Sequence, residues 1–212
     1  VIAISNFIAG HIRQVYGVPA ANIRVIPRGV DLSRFNPEFV SRERIISLAN
    51  KWRLPDGVPV IMLPGRLTRW KGQSIFIEAI KDLGPRDVHC LIMGSDQGRH
   101  SYRRELERFI ESHGMTGNVH VIGHCDDMPA AYMLADIVVS ASLEPEAFGR
   151  VAAEAQALGR QVIAADHGGV RETVIHGETG WLTLPGDAKA LAKTINVVLT
   201  RSEADRQKLC ER

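Results

Sequence analysis

Short apolar runs alternate with amphipathic segments along almost the whole chain. The runs are mostly aliphatic or β-branched and show little polar alternation, which is typical of strands covered on both faces. The predicted strands cover residues 1–5, 23–26, 60–63, 88–93, 119–122, 137–140, 162–164 and 180–184. Helical patterns lie between them, at residues 6–16, 73–83, 102–113, 128–135, 149–158 and 188–200. Strands that alternate with helices indicate βαβ units, so we predict an α/β fold with a doubly wound parallel sheet.

The stretch from Pro27 to Pro59 interrupts this alternation. It contains four prolines, the turn pair Asp56-Gly57 and only one weak helical pattern, at about residues 41–52. This composition is typical of a connection between two lobes. We therefore predict a linker at residues 37–58.

The linker divides the chain into unequal parts. Residues 1–36 are then the tail of a preceding N-terminal lobe together with the start of the linker, and residues 59–212 form one complete domain. The first residues show a buried-strand pattern without an initiator Met. We therefore interpret the chain as a piece of a longer protein.

Composition excludes several classes of protein. With 26 Lys and Arg against 24 Asp and Glu, the net charge of +2 is too balanced to predict a nucleic-acid partner. No apolar run approaches the roughly 18 residues of a membrane span, and none resembles a signal peptide. The three cysteines, Cys90, Cys125 and Cys210, lack CxxC spacing. We therefore expect neither a disulfide framework nor structural zinc, and a cytoplasmic location.

The loop that follows the third strand pattern is rich in cations. Arg66 follows the end of the strand, and Arg69 and Lys71 come just before the next helical pattern. Cations at a helix N-terminus are unfavourable by roughly 0.3–1 kcal/mol unless an anion compensates them. The loop therefore predicts an anion site, with a solvated basic turn as the alternative.

A second loop carries two carboxylates, Glu146 and Glu154, eight residues apart around a predicted helix start. In a continuous helix this spacing places them along one side, about 12 Å apart. That is longer than the roughly 5–10 Å of an acid–base pair on one bond. It suits two carboxylates that bind hydroxyls at the two ends of one ligand. The alternative is a salt bridge or a helix cap, because a carboxylate beside an apolar stripe needs a donor.

Glycines mark two further places where a ligand fits. Phe148, Gly149 and Arg150 open the predicted helix with exposed amides, which suits a phosphate group. Gly168 and Gly169 follow a strand pattern and permit close approach of the backbone to a ligand, or tight packing within the protein.

Motifs of other site types are missing. The sequence has no P-loop, no HExxH, no GxSxG and no DxD, and the segment MGSDQG lacks the GxGxxG spacing of dinucleotide-binding proteins. The eight histidines are scattered, without an i, i+4 pair on a predicted helix. We therefore predict no metal site and no cofactor.

Taken together, the motifs strongly resemble the C-terminal half of group 1 glycosyltransferases, the family-4 retaining enzymes of GT-B architecture. The resemblance covers about residues 1–200, and its order of motifs, with E-x7-E after R-x4-K, is specific. The matching strings are IxxSNF, IRVIPRGVD, PGRLTRWKG, LIMGS, NVHVIG, ADIVVSASLEPEAFGRVAAEAQALG, IAADHGGVRETV and GETGWLTLPGD.

The resemblance implies a Rossmann-like lobe that binds a nucleotide diphosphate sugar and contributes to metal-independent, retaining transfer of a hexosyl group. By position, Arg66 and Lys71 are expected to neutralise the diphosphate and stabilise the leaving group. Fixed cations suit that task where no metal is used. Glu146 is expected to contact hydroxyls of the donor sugar, and Glu154 to hold the ribose.

Further residues are implied in donor binding. Backbone amides of Phe148, Gly149 and Arg150 would bind phosphate and sugar. The base would lie against the loops that contain Gly94, Ser95, Cys125 and Met128. Glu172 and Gly180 match family positions that we expect to be structural.

The resemblance also implies partners outside this chain. The acceptor, which the sequence does not identify, would be held by the protein's own N-terminal lobe, and any membrane contact would be made through that lobe. We therefore expect the fragment alone to bind nucleotide without turning over.

Two positions depart from the family pattern. Arg28 stands where the linker usually has Asn, and Arg150 stands where an apolar residue often follows the Phe-Gly pair. We hypothesise that the extra cation at Arg150 favours a charged donor or acceptor.

Two other functions stay open at this point. One is a nucleotide-sugar-binding module without catalysis, against which the presence of both Glu and both cations argues. The other is a sugar-nucleotide epimerase of the same architecture, which product analysis without an acceptor would distinguish.

Overall fold

A computed structural model describes residues 1–98 and 100–202, which leaves Cys210 outside the described residues. Six parallel strands form the main sheet. They are β3 (Val60–Pro64), β4 (His89–Met93), β5 (Val119–Ile122), β6 (Ile137–Ser140), β7 (Gln161–Ala165) and β8 (Trp181–Thr183). Their order in the sheet is β5-β4-β3-β6-β7-β8. The first two strands, β1 (Ile2–Ala3) and β2 (Arg24–Val25), form a separate parallel pair. The predicted α/β class with a parallel sheet is confirmed.

Helices connect successive strands, as βαβ units require. The α-helices are α1 (Asn6–Tyr16), α2 (Arg42–Trp52), α3 (Gln73–Asp82), α4 (His100–Ser112), α5 (Met128–Leu134), α6 (Arg150–Ala157) and α7 (Ala188–Leu199). Short 3-10 turns lie at Ala20–Asn22, Pro37–Phe39, Arg69–Lys71 and Gly168–Glu172. None of the helices in these described ranges is long and apolar enough for a bilayer span.

The main sheet is covered on both faces, which explains its uninterrupted apolar strands. Alternate residues of a strand point to opposite faces, so Ile61 and Met62 of β3 belong to two different core clusters. The cluster around Ile61 includes side chains of α3, α4 and α7. The cluster around Met62 includes side chains of α5 and α6. The sheet is therefore doubly wound, as predicted.

The strand order reverses direction between β3 and β6. From β3 the chain moves outward through β4 and β5, then returns to the other side of β3 as β6 and continues to β8. Open parallel sheets bind ligands beyond the carboxyl ends of their strands at such a switch point. The two loops that leave β3 and β6 contain Arg66 and Glu146 respectively, so both predicted site loops begin at this point.

The segment predicted as a linker packs on the domain. Helix α2 lies against α5, and Phe35 and Val40 are buried in the same core cluster as Met62. Arg44 of α2 also pairs with Asp127, whose carboxylate caps the N-terminus of α5. That this segment joins two lobes stays a prediction.

Local chemistry sets the boundaries that the sequence missed. The first strand ends at Ala3, because Ser5 is already the N-cap of α1 and accepts a hydrogen bond from the Ile8 amide. Helix α6 begins at Arg150, because Gly149 has the left-handed conformation, with φ 86°. Glu146 therefore precedes the helix, and the predicted helical spacing between it and Glu154 was wrong.

Candidate functional site

The loops after β3 and β6 are in direct backbone contact. Gly72 ends the turn of Arg69–Lys71 and starts α3, and a Cβ atom at this position would lie 1.9 Å from the carbonyl oxygen of Ala141. The amide of Leu143 donates a hydrogen bond of 2.6 Å to the carbonyl of Trp70. The cations of the first loop are thereby held beside the carboxylate of the second.

Lys71 and Glu146 form an ion pair at this junction. The distance from Lys71 Nζ to Glu146 Oε1 is 2.7 Å, and each side chain is 13% exposed. Oε1 also accepts hydrogen bonds from Ser140 Oγ at 3.3 Å and Ser142 Oγ at 2.5 Å. Within the part of the chain that the structure describes, Oε2 accepts no hydrogen bond. Oε1 of Glu146 is thus bound by groups of the protein, and Oε2 is free to accept a hydrogen bond from a ligand.

The same neighbours keep Glu146 ionised. Burial alone would raise the pKa of its carboxyl group, but the charge and hydrogen bond of Lys71, with the hydroxyls of Ser142 and Ser140, lower that pKa below its ordinary value. At neutral pH, Glu146 is therefore an acceptor of hydrogen bonds and not a proton donor.

Trp70 lies between the two predicted cations. Its ring centroid is 4.4 Å from Lys71 Nζ and 5.9 Å from the guanidinium carbon of Arg66, both within the range of cation–π attraction. Arg69, in contrast, donates to both carboxylate oxygens of Glu105 and is therefore not available to the site as Arg66 and Lys71 are. The sequence analysis missed Trp70, although an aromatic residue between two cations was a signal.

The loop that holds Glu146 is fixed from a second side by the glycine pair after β7. The amide of Gly169 donates a hydrogen bond of 2.7 Å to the carbonyl of Glu146. A Cβ at Gly168 would lie 2.6 Å from that carbonyl oxygen, and one at Gly169 would lie 2.3 Å from the carbonyl oxygen of Ala147. These glycines approach the chain itself, so tight packing accounts for the pair.

The N-terminal segment touches the same loop. The buried hydroxyl of Ser5 donates a hydrogen bond of 2.6 Å to the carbonyl of Ala147. The carboxylate of Glu172 accepts hydrogen bonds from the amides of Asn6 and Phe7 and so caps α1. Glu172 thus has a structural contact, and Ser5 is a contact residue that the sequence analysis did not identify, because its partner is 142 residues away.

Glu154 has a partner on each oxygen, an ion pair with Arg150 on one and a hydrogen bond from Tyr132 on the other. Arg150 Nε lies 3.1 Å from Oε1, and Tyr132 donates its hydroxyl to Oε2 at 3.0 Å. Burial and the charge of Glu154 raise the pKa of Tyr132 well above its ordinary value, with a smaller contribution from Glu146. Tyr132 is therefore a fixed donor, within electrostatic range of both predicted carboxylates.

A cavity of about 460 Å³ opens beside Glu154. Cys125, Met128, Arg150 and Glu154 line it, together with residues of the N-terminal part that include Arg28. Its volume is within the usual range of small-molecule sites, about 300–1,000 Å³. Burial raises the pKa of the Cys125 thiol, so this residue contributes a neutral, packed surface. Four predicted site residues are thus brought together around one cavity.

The remaining predicted residues support the loops. A Cβ at Gly94 would lie 1.9 Å from the carbonyl oxygen of Gly65, and the carbonyl of Ser95 accepts a hydrogen bond from the amide of Leu67. Gly94 and Ser95 thereby position the loop of Arg66. Phe148 is half-buried, and Gly149 packs against Val170.

Within residues 1–98 and 100–202, no group of three or more His, Cys, Asp or Glu side chains lies close enough to hold a metal ion. The two carboxylates of the site are each engaged by cations of the protein, Lys71 for Glu146 and Arg150 for Glu154.

Solved structures share this fold over nearly the whole chain. A glycosyltransferase from Rickettsia africae is 33% identical, with a TM-score of 0.97 over 100% of this chain and 56% of that one. Anabaena HepE, solved in complex with UDP and glucose, is 32% identical, with a TM-score of 0.88 over 99% of this chain and 55% of that one. These likenesses confirm the predicted Rossmann-like lobe of GT-B architecture.

Curated relatives match at similar identity. A D-inositol 3-phosphate glycosyltransferase from Xylanimonas cellulosilytica is 34% identical over 88% of this chain and 45% of the relative. A GDP-mannose-dependent alpha-(1-6)-phosphatidylinositol monomannoside mannosyltransferase from Mycobacterium tuberculosis is 31% identical over 84% of this chain and 46% of the relative. The chain thus spans about half the length of the curated relatives that it matches.

Two family models match consecutive parts of the chain. Residues 1–34 match the model described as Glycosyltransferase Family 4, and residues 45–212 match the model described as Glycosyl transferases group 1. The second match covers well over half of the sequence and includes Arg66, Lys71, Glu146 and Glu154. The chain therefore belongs to the group 1 glycosyltransferases.

Proposed function

We propose that this chain is the donor-binding half of a retaining glycosyltransferase. It binds a nucleotide diphosphate sugar, from which a hexosyl group passes, without a metal ion, to an acceptor held by an N-terminal lobe. The observation that carries the proposal is the Lys71–Glu146 pair at the switch point of the sheet, with Oε2 of Glu146 free to accept a hydrogen bond.

Arg66 and Lys71 are the cations for the diphosphate. Transfer of the sugar leaves a nucleoside diphosphate whose negative charge grows as the bond to the sugar breaks. Cations held in place by the protein stabilise that charge without reorganisation during the reaction. Trp70 supplies such a hold, because its ring contacts both groups.

Glu146 is the proposed contact for hydroxyl groups of the sugar. Its Oε1 is occupied by Lys71 and two serines, which fix the plane of the carboxylate and leave Oε2 for a substrate hydroxyl. The lowered pKa keeps this oxygen an acceptor at neutral pH. Glu146 therefore orients the sugar and also links it to the cation that meets the diphosphate.

The cavity next to Glu154 is the proposed nucleoside site. Glu154 would take the ribose hydroxyls, and Cys125 and Met128 would contact the base. The first turn of α6, preceded by Phe148 and Gly149, has amides without an intrahelical acceptor, which suit a phosphate. Complexes of HepE with UDP and with UDP-glucose, and the GDP-mannose dependence in the name of the mycobacterial relative, support a nucleotide sugar as the ligand class.

The N-terminal residues are proposed to belong to the preceding lobe. Val1, Ile2, Val15 and Tyr16 are exposed apolar side chains, and α1 has no fully buried residue. Apolar side chains of this number on one small unit favour cover by further structure. We place the acceptor site and any membrane contact in that lobe, and the complete enzyme in the cytoplasm.

Binding of nucleotides by the 212-residue chain tests the proposal. We expect UDP or GDP to raise its melting temperature by several degrees, because a ligand at a hundredfold excess over its Kd adds about 2.7 kcal/mol of stability. Arg66→Ala should reduce the shift strongly. Arg69→Ala is the matched control, because this cation of the same loop is engaged by Glu105.

The outcomes separate the proposal from its alternatives. If UDP or GDP raises the melting temperatures of Arg66→Ala and Arg69→Ala equally, that result contradicts the assignment of Arg66. We expect no sugar transfer by the isolated chain, because the acceptor site lies in the other lobe. Measurable sugar transfer by the isolated chain would refute the placement of the acceptor site in the other lobe. Formation of an epimerised sugar nucleotide without an acceptor would favour an epimerase.

A further inference from the structure

Arg150 occupies the carboxylate that a ribose would need. Its Nε is 3.1 Å from Glu154 Oε1, while Tyr132 holds Oε2. Arg150 is thus an ion-pair partner of Glu154, and Tyr132 is its hydrogen-bond donor. A ribose diol that binds Glu154 must therefore displace one of these partners or share its oxygen. The competition is built into α6, because residues four apart lie on the same side of a helix.

The two partners of Glu154 differ in their freedom to move. Tyr132 is 1% exposed and packs in the core below the site. The side chain of Arg150 is 64% exposed, whereas that of Glu154 is 12% exposed. Arg150 is therefore the partner that yields.

The cavity lining contains both signs of charge, with Arg28, Arg34 and Arg150 beside Asp31, Asp126 and Glu154. Arg150 lines the cavity and is the first residue of α6, at its positive end. Arg34 donates to the carbonyl of Asp126, whereas Arg28 has no ion-pair or hydrogen-bond partner for its guanidinium within the described ranges 1–98 and 100–202. A phosphate that contacts Arg28 and Arg150 would meet two guanidinium groups, and such contacts are strong because both partners are charged.

We infer that Arg150 is a specificity-determining residue that couples ribose binding to the phosphates of the ligand. A nucleoside alone must compete with Arg150 for Glu154 and gains nothing in return. A nucleoside diphosphate draws Arg150 onto its phosphates and so frees Glu154 for its ribose. The inference rests on the proposed function, because it takes Glu154 as the ribose ligand.

The inference predicts opposite effects of one substitution on two ligands. In Arg150→Leu the competitor is gone, so the affinity for a nucleoside should rise about twofold, a small gain because exposed ion pairs are weak. The affinity for the diphosphate should fall about tenfold, because a charge-assisted contact is lost. The Kd of the nucleoside divided by the Kd of the diphosphate should therefore fall about twentyfold, the product of these two factors.

Calorimetric titration of the 212-residue chain with uridine, UMP and UDP, and with guanosine, GMP and GDP, tests this coupling. Arg150→Gln is the second variant, which keeps a polar side chain without the charge and should narrow the ratio in the same direction. Arg103→Leu is the matched control, because Arg103 and Glu107 form an Arg–Glu pair of the same i, i+4 spacing on α4. This control should leave the ratio unchanged.

Each result has a distinct meaning. A narrower ratio in both Arg150 variants supports the coupling. If the Arg150 variants change the affinities for nucleoside and diphosphate equally, the ratio of the two Kd values stays the same. That result would overturn the coupling while the proposed function stands. If the wild-type chain binds neither UDP nor GDP, the proposed function fails and this inference fails with it.

Discussion

Replacing Lys71 with methionine removes the ammonium group from Glu146 and keeps most of the length of the side chain. Both side chains are 13% exposed, so the carboxylate would be left almost buried with two serine donors. Removing one partner of a buried pair costs about 3–5 kcal/mol, and partial exposure with the serine donors lowers our expectation to about 2–3 kcal/mol at pH 7. Urea denaturation measures the change in the free energy of unfolding.

The loss should depend on pH. In the wild type the folded-state pKa of Glu146 is below its ordinary value of 4.5, so the pair adds stability above pH 4.5 that is lost as the pH falls through the folded-state pKa. In Lys71→Met we expect burial to outweigh the two serine donors and to raise this pKa above the unfolded value. The variant should therefore lose stability as the pH rises through 4.5, and its deficit against the wild type should be larger at pH 7 than at pH 4.

A double-mutant cycle isolates the pair. Glu146→Gln removes the charge that Lys71→Met leaves unpaired, so the double variant should be more stable than the sum of the two single losses predicts, by about 1 kcal/mol or more. Arg171→Met is the control, because its exposed pair with Asp166 should contribute less than about 1 kcal/mol. Additive losses within about 0.5 kcal/mol, or a deficit that does not change with pH, would refute the electrostatic argument.

Three further predictions concern residues around the site and in the core. Trp70→Leu should weaken UDP or GDP binding about fivefold through loss of cation–π contacts, and Trp70→Phe less, as measured by calorimetry; equal affinity of Leu and Phe variants would contradict the role of the ring. Gly169→Ala should destabilise the chain by about 1–3 kcal/mol and weaken nucleotide binding, because its Cβ would meet backbone, whereas Gly117→Ala has open space and should do neither in the same assays. The pKa of His89 is lowered by burial and by His120, whose ring is stacked at 4.5 Å, so the wild type should lose stability as the pH falls below 6.5. In urea denaturation, His89→Phe should lose less unfolding free energy than the wild type between pH 7 and pH 5. Parallel stability–pH profiles of the two proteins would rule this out.

Much of the fold follows from local sequence. The strands of the main sheet are apolar on both faces, so their positions are visible without knowledge of what covers them. Helix ends follow from single residues, as Asp127 and Asp187 show by capping α5 and α7. The largest local error, the spacing of the two carboxylates, arose because the left-handed Gly149 delays the helix to Arg150.

For the site too, the sequence predicted the residue types, and the structure decided their contacts. The residue types of the anion loop and the carboxylate loop, with their order along the chain, identified the family and predicted Arg66, Lys71, Glu146 and Glu154. From the sequence alone, the pair Gly168-Gly169 had two possible explanations, ligand approach or packing. The contact with the backbone of Glu146 and Ala147 favours packing.

Partners far apart in the sequence are decided only by the tertiary structure. Ser5 contacts Ala147, and Lys71 contacts Glu146 although 75 residues separate them in the sequence. The loops of Lys71 and Glu146 meet because β3 and β6 are neighbours in the main sheet. Likewise, sequence placed Arg150 four residues before Glu154, but only packing shows that Tyr132 holds the other oxygen and cannot yield. Periodicity and residue type are local properties and determine elements and chemistry, whereas competition for one oxygen depends on which side chains share a volume.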